Sequence, residues 1–170
     1  MRRVEFAGIS VMFSIMDKQL ILKSILAELE QDLHRQQSAN RKAAENATDE
    51  EARAESKWDT QGLESSYLAR GYAQQFALLS GQAKTLQGLE LASFNTQPIG
   101  LGALIECDFG GETSHVFLLP CCGGMDLSVD DADITVVTPE SPLGSALLNK
   151  RPGQPFAIPG GVSGTVRRVE

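Results

Sequence analysis

The feature of this chain that most limits its fold is a hydrophobic stripe with helical period that ends abruptly near residue 90. Apolar or small residues recur in steps of four and three along two separate runs, which places one narrow apolar face on each of two long α-helices, as in a coiled-coil seam. The polar segment Asn46–Lys57 joins the two runs, so the helices are predicted to fold back as an antiparallel hairpin. The stripe positions are Leu22, Leu26, Leu29 and Leu33 in the first run, and Trp58, Gly62, Ser65, Ala69, Tyr72, Phe76, Leu79, Ala83 and Leu86 in the second.

After Asn95 the period changes to that of short strands separated by Gly and Pro. One helix is predicted over Ser141–Asn149, with Ser141 as its cap and Pro142 at its first position, and Pro152 and Gly153 beyond its end. The paired glycines 110–111, 123–124 and 160–161 are interpreted as hairpin turns. The predicted strands are Leu101–Cys107, Ser114–Leu119, Ile134–Thr138, Gln154–Ile158 and Gly164–Val169.

The predicted fold class is therefore α+β: an N-terminal antiparallel coiled-coil hairpin and a small β-sheet domain with one short helix. We place the coiled coil at residues 16–92 and the β-sheet domain at 95–170. Residues 1–15 are interpreted as a tail or an over-extended start, because Met16 stands directly before Asp17, which is a suitable helix cap. The pattern leaves open whether the hairpin is a monomer or a weak dimer.

Composition excludes several classes of protein. The 170 residues carry a net charge of −7, of which −5 lies in residues 96–170, so a basic surface for gripping nucleic acid is not expected. No apolar run is long enough to cross a membrane. Three cysteines, with Cys121 and Cys122 adjacent, suit a reducing cytoplasm better than a disulfide framework. No zinc site is predicted from them, since the spacing Cys-x-x-Cys does not occur.

The segment from Ile134 to Gly161, ITVVTPESPLGSALLNKRPGQPFAIPGG, resembles the C-terminal domain of the GreA/GreB transcript-cleavage factors. The matching elements are a strand, the helix start Ser141-Pro142-Leu143-Gly144, an apolar helix, the turn at Asn149-Lys150 and a hairpin around Pro159-Gly160-Gly161. A helical hairpin before this domain is also the order found in that family.

The resemblance implies an FKBP-like domain that docks at the secondary channel of bacterial RNA polymerase, with the Ser141–Gly144 motif in the docking domain. It implies that the coiled coil enters the channel and that acidic residues at its tip help to hold Mg²⁺ at the polymerase active site, where backtracked RNA is cut. Such a protein is not itself an enzyme. It binds no cofactor alone and meets nucleic acid only within the elongation complex.

The tip itself departs from the family pattern Asp-Leu-x-Glu-Asn. The family Glu falls nearest Glu55, Ser56 stands for Asn, and Ala52 stands for Asp. Carboxylates nevertheless remain, and Glu51 and Glu55 are the candidates for a transient Mg²⁺ shared with polymerase. The alternative is a solvated polar turn that favours a helix N-terminus. The acidic tip candidates are Asp49, Glu50, Glu51 and Glu55.

Other functions stay open at this stage. An altered tip suits a non-cleaving regulator of the channel, similar to Rnk-like or anti-cleavage relatives. A peptidyl-prolyl isomerase would need more aromatic residues than the β-sheet domain offers, and a structural coiled coil is the plainest alternative. Arg167 and Arg168 are expected to flank a strand face, with contact to polymerase as an alternative. Replacing Pro142 or Leu147 by Asp is expected to abolish docking by unfolding the domain.

Overall fold

A computed structural model describes residues 17–48, 61–130 and 132–170. It contains two long helices, α1 (Lys18–Thr48) and α2 (Gln61–Gln87), followed by a six-stranded sheet and one short helix. The predicted α+β class is confirmed. The chain divides into two compact units, which we call the helical unit (Leu26–Gln87) and the sheet unit (Gly88–Glu170 together with the residues up to Ile25).

Helix α1 begins where the sequence predicts. The Asp17 side chain accepts a hydrogen bond from the Gln19 backbone N–H at 2.8 Å, and the Asp17 carbonyl accepts from Leu20 N–H at 2.9 Å. This satisfies N–H groups that a helix start leaves without partners. The next residue, Lys18, belongs to the sheet unit, where its ammonium donates to the carbonyl of Ala92 at 2.6 Å and lies 5.5 Å from the ring centre of Phe94.

The predicted stripes are confirmed only in part. In the helical unit, Leu29 on α1 and Leu79, Ala83 and Leu86 on α2 are buried, as their spacing predicts. Phe76, which the pattern places on the seam, is 40% exposed. On α1 the leucines at positions 26 and 33 are only half-buried, whereas the isoleucines at positions 21 and 25 are fully buried. Leu22 and Leu29 are buried as the stripe predicts, and Ile21 and Ile25 widen the buried face of α1 on one side of it.

The sheet has the strand order β3-β4-β2-β1-β6-β5. Neighbouring strands are antiparallel except β2 and β4, which are parallel. A parallel pair needs a crossover, and the chain from the end of β2 to β4 supplies it, with β3 formed on the way. The strands are β1 (Ala103–Phe109), β2 (Glu112–Leu118), β3 (Asp126–Val129), β4 (Ala132–Val137), β5 (Pro155–Ile158) and β6 (Val162–Val169).

Five of these strands match predicted runs, and the sequence reasoning missed β3. The prediction that every glycine pair makes a hairpin turn is wrong for one of the three. Gly110-Gly111 joins β1 to β2 and Gly160-Gly161 joins β5 to β6, but Gly123-Gly124 lies between β2 and β3, which are separated in the sheet by β4. The pair therefore sits in a crossover loop.

The short helix α3 (Pro142–Leu147) ends earlier than the predicted Ser141–Asn149. Leu148 donates its N–H to the carbonyl of Gly144 at 2.9 Å, and Asn149 then adopts a left-handed backbone with φ of 64°. Asn tolerates this conformation better than most residues, which makes it a suitable stop. Leu147 of α3 is fully buried in a cluster on one face of the sheet, with Leu118, Val116 and Ile105 among its members.

Candidate functional site

The four acidic tip candidates, Asp49, Glu50, Glu51 and Glu55, lie outside the described residues. Their assignment as a Mg²⁺-holding tip stays a prediction of the sequence. Among the described residues, no group of three or more His, Cys, Asp or Glu side chains is placed to hold a metal ion.

The predicted docking motif lies at the start of α3, and its first residue is a helix cap. The Ser141 hydroxyl accepts a hydrogen bond from the Gly144 N–H at 3.0 Å and donates one to the Thr138 carbonyl at 2.8 Å. Its backbone is extended, with φ of −71° and ψ of 151°. Ser141 therefore closes the first turn of the helix and ties it to the end of β4.

Gly144 is in the motif because no other residue fits. A Cβ atom built on it would lie 2.0 Å from the Thr138 carbonyl oxygen and 3.0 Å from the Ser141 hydroxyl oxygen. Any side chain would collide with backbone, which cannot move aside as a flexible side chain can. Gly144 thus allows α3 to approach the carboxyl end of β4 closely, and the residue is itself buried.

The other two motif residues differ in exposure. Leu143 is half-buried and packs against the core cluster, whereas Pro142 is exposed at the first helical position. The two predicted aspartate substitutions therefore differ in kind. Leu147→Asp would bury a carboxylate among apolar groups and unfold the domain. Pro142→Asp changes an exposed residue at a helix start, where Asp is compatible with the helix dipole, so the structure favours a folded domain for this variant.

A row of charged residues runs across β1 and β6. The sequence predicted only that its two arginines would flank a strand face, and did not predict the acidic residues opposite them. The register places Glu106 between His115 on β2 and Arg168 on β6. A bulge opposite Glu106 and Cys107 adds Arg167 to the same side of the strand. Glu106 is 7% exposed and is the only charged residue buried within the described part of the chain.

Hydrogen bonds within the sheet unit join members of this row to each other. The Asp108 carboxylate accepts from Arg167 Nε at 2.9 Å and from the Gly111 backbone N–H at 2.7 Å. These hydrogen bonds, that from Arg167 above all, hold the pKa of Asp108 below its usual value. Arg167 therefore flanks a strand face, as predicted, and it pairs with its own chain. Alternating acidic residues on β1 and the adjacent arginines on β6 were the sequence signals for this row, but only the register brings them together.

The three cysteines occupy two different environments. Cys107 is fully buried in the sheet core, and burial, with the charge of Glu106 nearby, raises the pKa of its thiol to about 12. Cys121 and Cys122 are half-buried in the β2–β3 loop, with their sulfur atoms 3.7 Å apart. Burial raises the pKa of both, that of Cys122 to about 12.

Neither long helix, within the residues that are described, combines the length and apolarity needed to span a membrane.

No protein-family model and no curated protein sequence matches this chain significantly. Solved structures that are similar to it include the GreA factor homolog 1 (Gfh1) of Thermus thermophilus, at 21% identity and a TM-score of 0.35, over 85% of this chain and 94% of that one. The structure of Thermus aquaticus Gfh1 is 20% identical with a TM-score of 0.36, over 84% of this chain and 92% of that one. A further structure, of the transcription factor Gfh1, is 20% identical with a TM-score of 0.36, over 85% of this chain and 92% of that one.

Proposed function

We propose that this protein is a transcription elongation regulator that binds bacterial RNA polymerase at its secondary channel through the sheet unit. The observation that carries the proposal is the segment Ile134–Gly161, whose residues resemble those of the GreA/GreB C-terminal domain. Its Ser-Pro-Leu-Gly motif builds a capped helix, and two of the matching residues, Ser141 and Gly144, lie where the fold restricts the residue type.

The motif shapes the docking surface, and its neighbours would touch the partner. The Ser141 hydroxyl makes its hydrogen bonds inside the domain, and Gly144 packs closely against Thr138, so neither residue is proposed to touch the partner. The exposed residues around them are Glu140, Pro142 and Ser145, and these are the candidates for contact with polymerase. The excess of acidic residues in 96–170 favours a basic surface on that partner.

The helical unit would enter the channel with its acidic tip foremost. In that arrangement Glu51 and Glu55 would offer carboxylate oxygens to a Mg²⁺ ion that the polymerase already holds, which stimulates cleavage of backtracked RNA. The protein would need no cofactor of its own and would not be an enzyme alone. It would be cytoplasmic and would contact nucleic acid only through the elongation complex.

One sequence observation favours a second candidate, a channel-binding regulator that does not stimulate cleavage. Ala52 and Ser56 stand where the family pattern has Asp and Asn, so the tip lacks two of the polar groups that cleavage factors carry. Such a regulator would occupy the same channel through the same sheet unit.

A binding experiment tests the shared part of both candidates. Fluorescently labelled full-length protein is titrated with core RNA polymerase, and Pro142→Asp is compared with Ser163→Asp, an exposed β6 position away from the motif. We expect Pro142→Asp to weaken binding on the order of tenfold or more, as loss of a central interface contact does, and Ser163→Asp to leave it unchanged. Unfolding curves of both variants should match the parent. Absence of binding by the parent protein contradicts the proposal.

Stalled elongation complexes separate the two candidates. If the tip stimulates cleavage, the added protein shortens the backtracked transcript, and Glu51→Ala with Glu55→Ala removes the effect while polymerase binding is kept. If transcripts stay intact and the protein competes with an added cleavage factor, the non-cleaving regulator is the correct assignment. Equal loss of binding in the tip variants would mean that the tip is structural.

A further inference from the structure

Cys121 and Cys122 are not among the residues proposed to contact polymerase, although the neighbouring Gly123 lies close to Thr138, the residue to which Ser141 is bound. They follow Pro120 in the loop that leaves β2, and their sulfur atoms lie 3.7 Å apart with the Cys122 thiol directed at the Cys121 sulfur. Cys122 has φ of 63°, a left-handed conformation that L-residues other than Gly, Asn and Asp rarely adopt. This backbone turns the second thiol back towards the first.

The loop that holds them is fixed at both ends. Leu119 N–H donates to the Val137 carbonyl at 2.9 Å, and Gly124 N–H donates to the Val136 carbonyl at 2.8 Å. Val136 N–H in turn donates to the Met125 carbonyl at 2.8 Å. Because these bonds flank the cysteines and join their loop to β4, the backbone that carries both thiols is held in place before any ligand binds.

We propose that Cys121 and Cys122 form a two-thiol binding site for trivalent arsenic, as arsenous acid or as a monosubstituted arsenoxide. The spacing suits a ligand atom that is bent. With bonds to sulfur of about 2.3 Å, as in metal thiolates, a separation of 3.7 Å corresponds to an S–ligand–S angle of about 107°. Trivalent arsenic is pyramidal and accepts two sulfurs at such an angle.

Other soft ligands fit less well. A linear two-coordinate ion would hold the two sulfurs about 4.6 Å apart, twice a bond of about 2.3 Å. Zinc would need two more protein ligands, and no group of three or more His, Cys, Asp or Glu among residues 17–48, 61–130 and 132–170 provides them. A disulfide between neighbouring residues would have to bridge Cα atoms about 3.8 Å apart, closer than the usual range of disulfides.

The protonation of the thiols also favours arsenic over a divalent cation. Burial raises the pKa of both groups, so both are protonated at neutral pH, and a cation would have to expel two protons into solvent. Arsenous acid brings its own proton acceptors. Two As–OH bonds break, two As–S bonds form, and the thiol protons leave in two molecules of water, with no change of oxidation state.

The test uses reduced full-length protein and phenylarsine oxide, with binding measured by native mass spectrometry. One arsenical per chain is expected, retained in excess 2-mercaptoethanol and removed by 2,3-dimercaptopropanol. Cys121→Ser and Cys122→Ser should each weaken binding on the order of 100-fold or more, because the second As–S bond forms intramolecularly. Cys107→Val, which keeps an apolar side chain at the buried cysteine, is the matched control and should bind as the parent does.

A second measurement does not depend on the folding of any variant. Arsenic X-ray absorption of the complex with the parent protein should give two As–S bonds per arsenic. A single As–S bond overturns the proposal, and so does a serine variant at position 121 or 122 that binds as tightly as the parent. Loss of binding in Cys107→Val alone would place the arsenical elsewhere and would equally overturn it.

Discussion

Gly144 in α3 and Gly81 in α2 are both helical glycines, yet the two units of the molecule use them differently. A Cβ atom on Gly144 would lie 2.0 Å from a backbone oxygen, whereas a Cβ atom on Gly81 would meet nothing within 4 Å. The sheet unit restricts its residues through close backbone contact, and the helical unit leaves much of its surface open.

The largest expected effect separates these two glycines. Gly144→Ala should lower the free energy of unfolding by about 3 kcal/mol or more, because the methyl group cannot avoid the Thr138 carbonyl. Gly81→Ala should raise it by up to about 1 kcal/mol, since Ala favours the helix and has room. Urea unfolding followed by circular dichroism measures both. Similar effects of the two substitutions would refute the contrast between the units.

Neighbouring leucines on α2 test how far the seam of the helical unit is buried. Leu79 is 7% exposed and Leu78 is 55% exposed. Leu79→Ala should cost about 2–3 kcal/mol through lost burial and a cavity, and Leu78→Ala should stay within about 0.5 kcal/mol. Thermal unfolding of the two variants decides the matter. Equal costs would mean that the second leucine is covered as well.

Stability at alkaline pH tests the buried thiol of the sheet unit. The pKa of Cys107 is raised to about 12 in the folded chain from an ordinary value of 9.0, so the unfolded chain loses this proton first. The protonated Cys107 thiol contributes fully to the free energy of unfolding below pH 9, and this contribution is lost as the pH rises towards 12. Between pH 8 and pH 10 the free energy of unfolding should fall by about 1.4 kcal/mol from this residue alone.

Cys107→Val provides the control for that titration, since it keeps an apolar side chain in the core and removes the proton. The difference between parent and variant cancels every other group that titrates in this range. A difference that does not change between pH 8 and pH 10 would show that the thiol is as easily ionised in the folded chain as in the unfolded one.

The smallest expected effect concerns the cap of α3. Ser141→Ala should cost about 1 kcal/mol, the usual value for a lost N-cap, because Gly144 N–H loses its acceptor. Ser145→Ala, at an exposed position of the same helix, is the matched control and should be nearly neutral. If both cost the same, the hydroxyl of Ser141 does not stabilise the helix start.

Sequence reasoning succeeded where the cause is local. The Asp17 start of α1, the Ser141 cap and two glycine hairpins follow from residues within a few positions of one another. It failed where the cause is a distant neighbour. Strand β3 is four residues long and pairs only with β4, so it has too little alternation to be recognised.

The sequence by itself determined the α+β class, the order of helices before strands and the resemblance of Ile134–Gly161, because period and turn residues act over short range. Only the tertiary structure decided which motif residues are internal and which are exposed. Ser141 and Gly144 serve the contact with Thr138, and Pro142 remains on the surface. That division depends on where β4 ends relative to α3, and packing of distant segments sets this position.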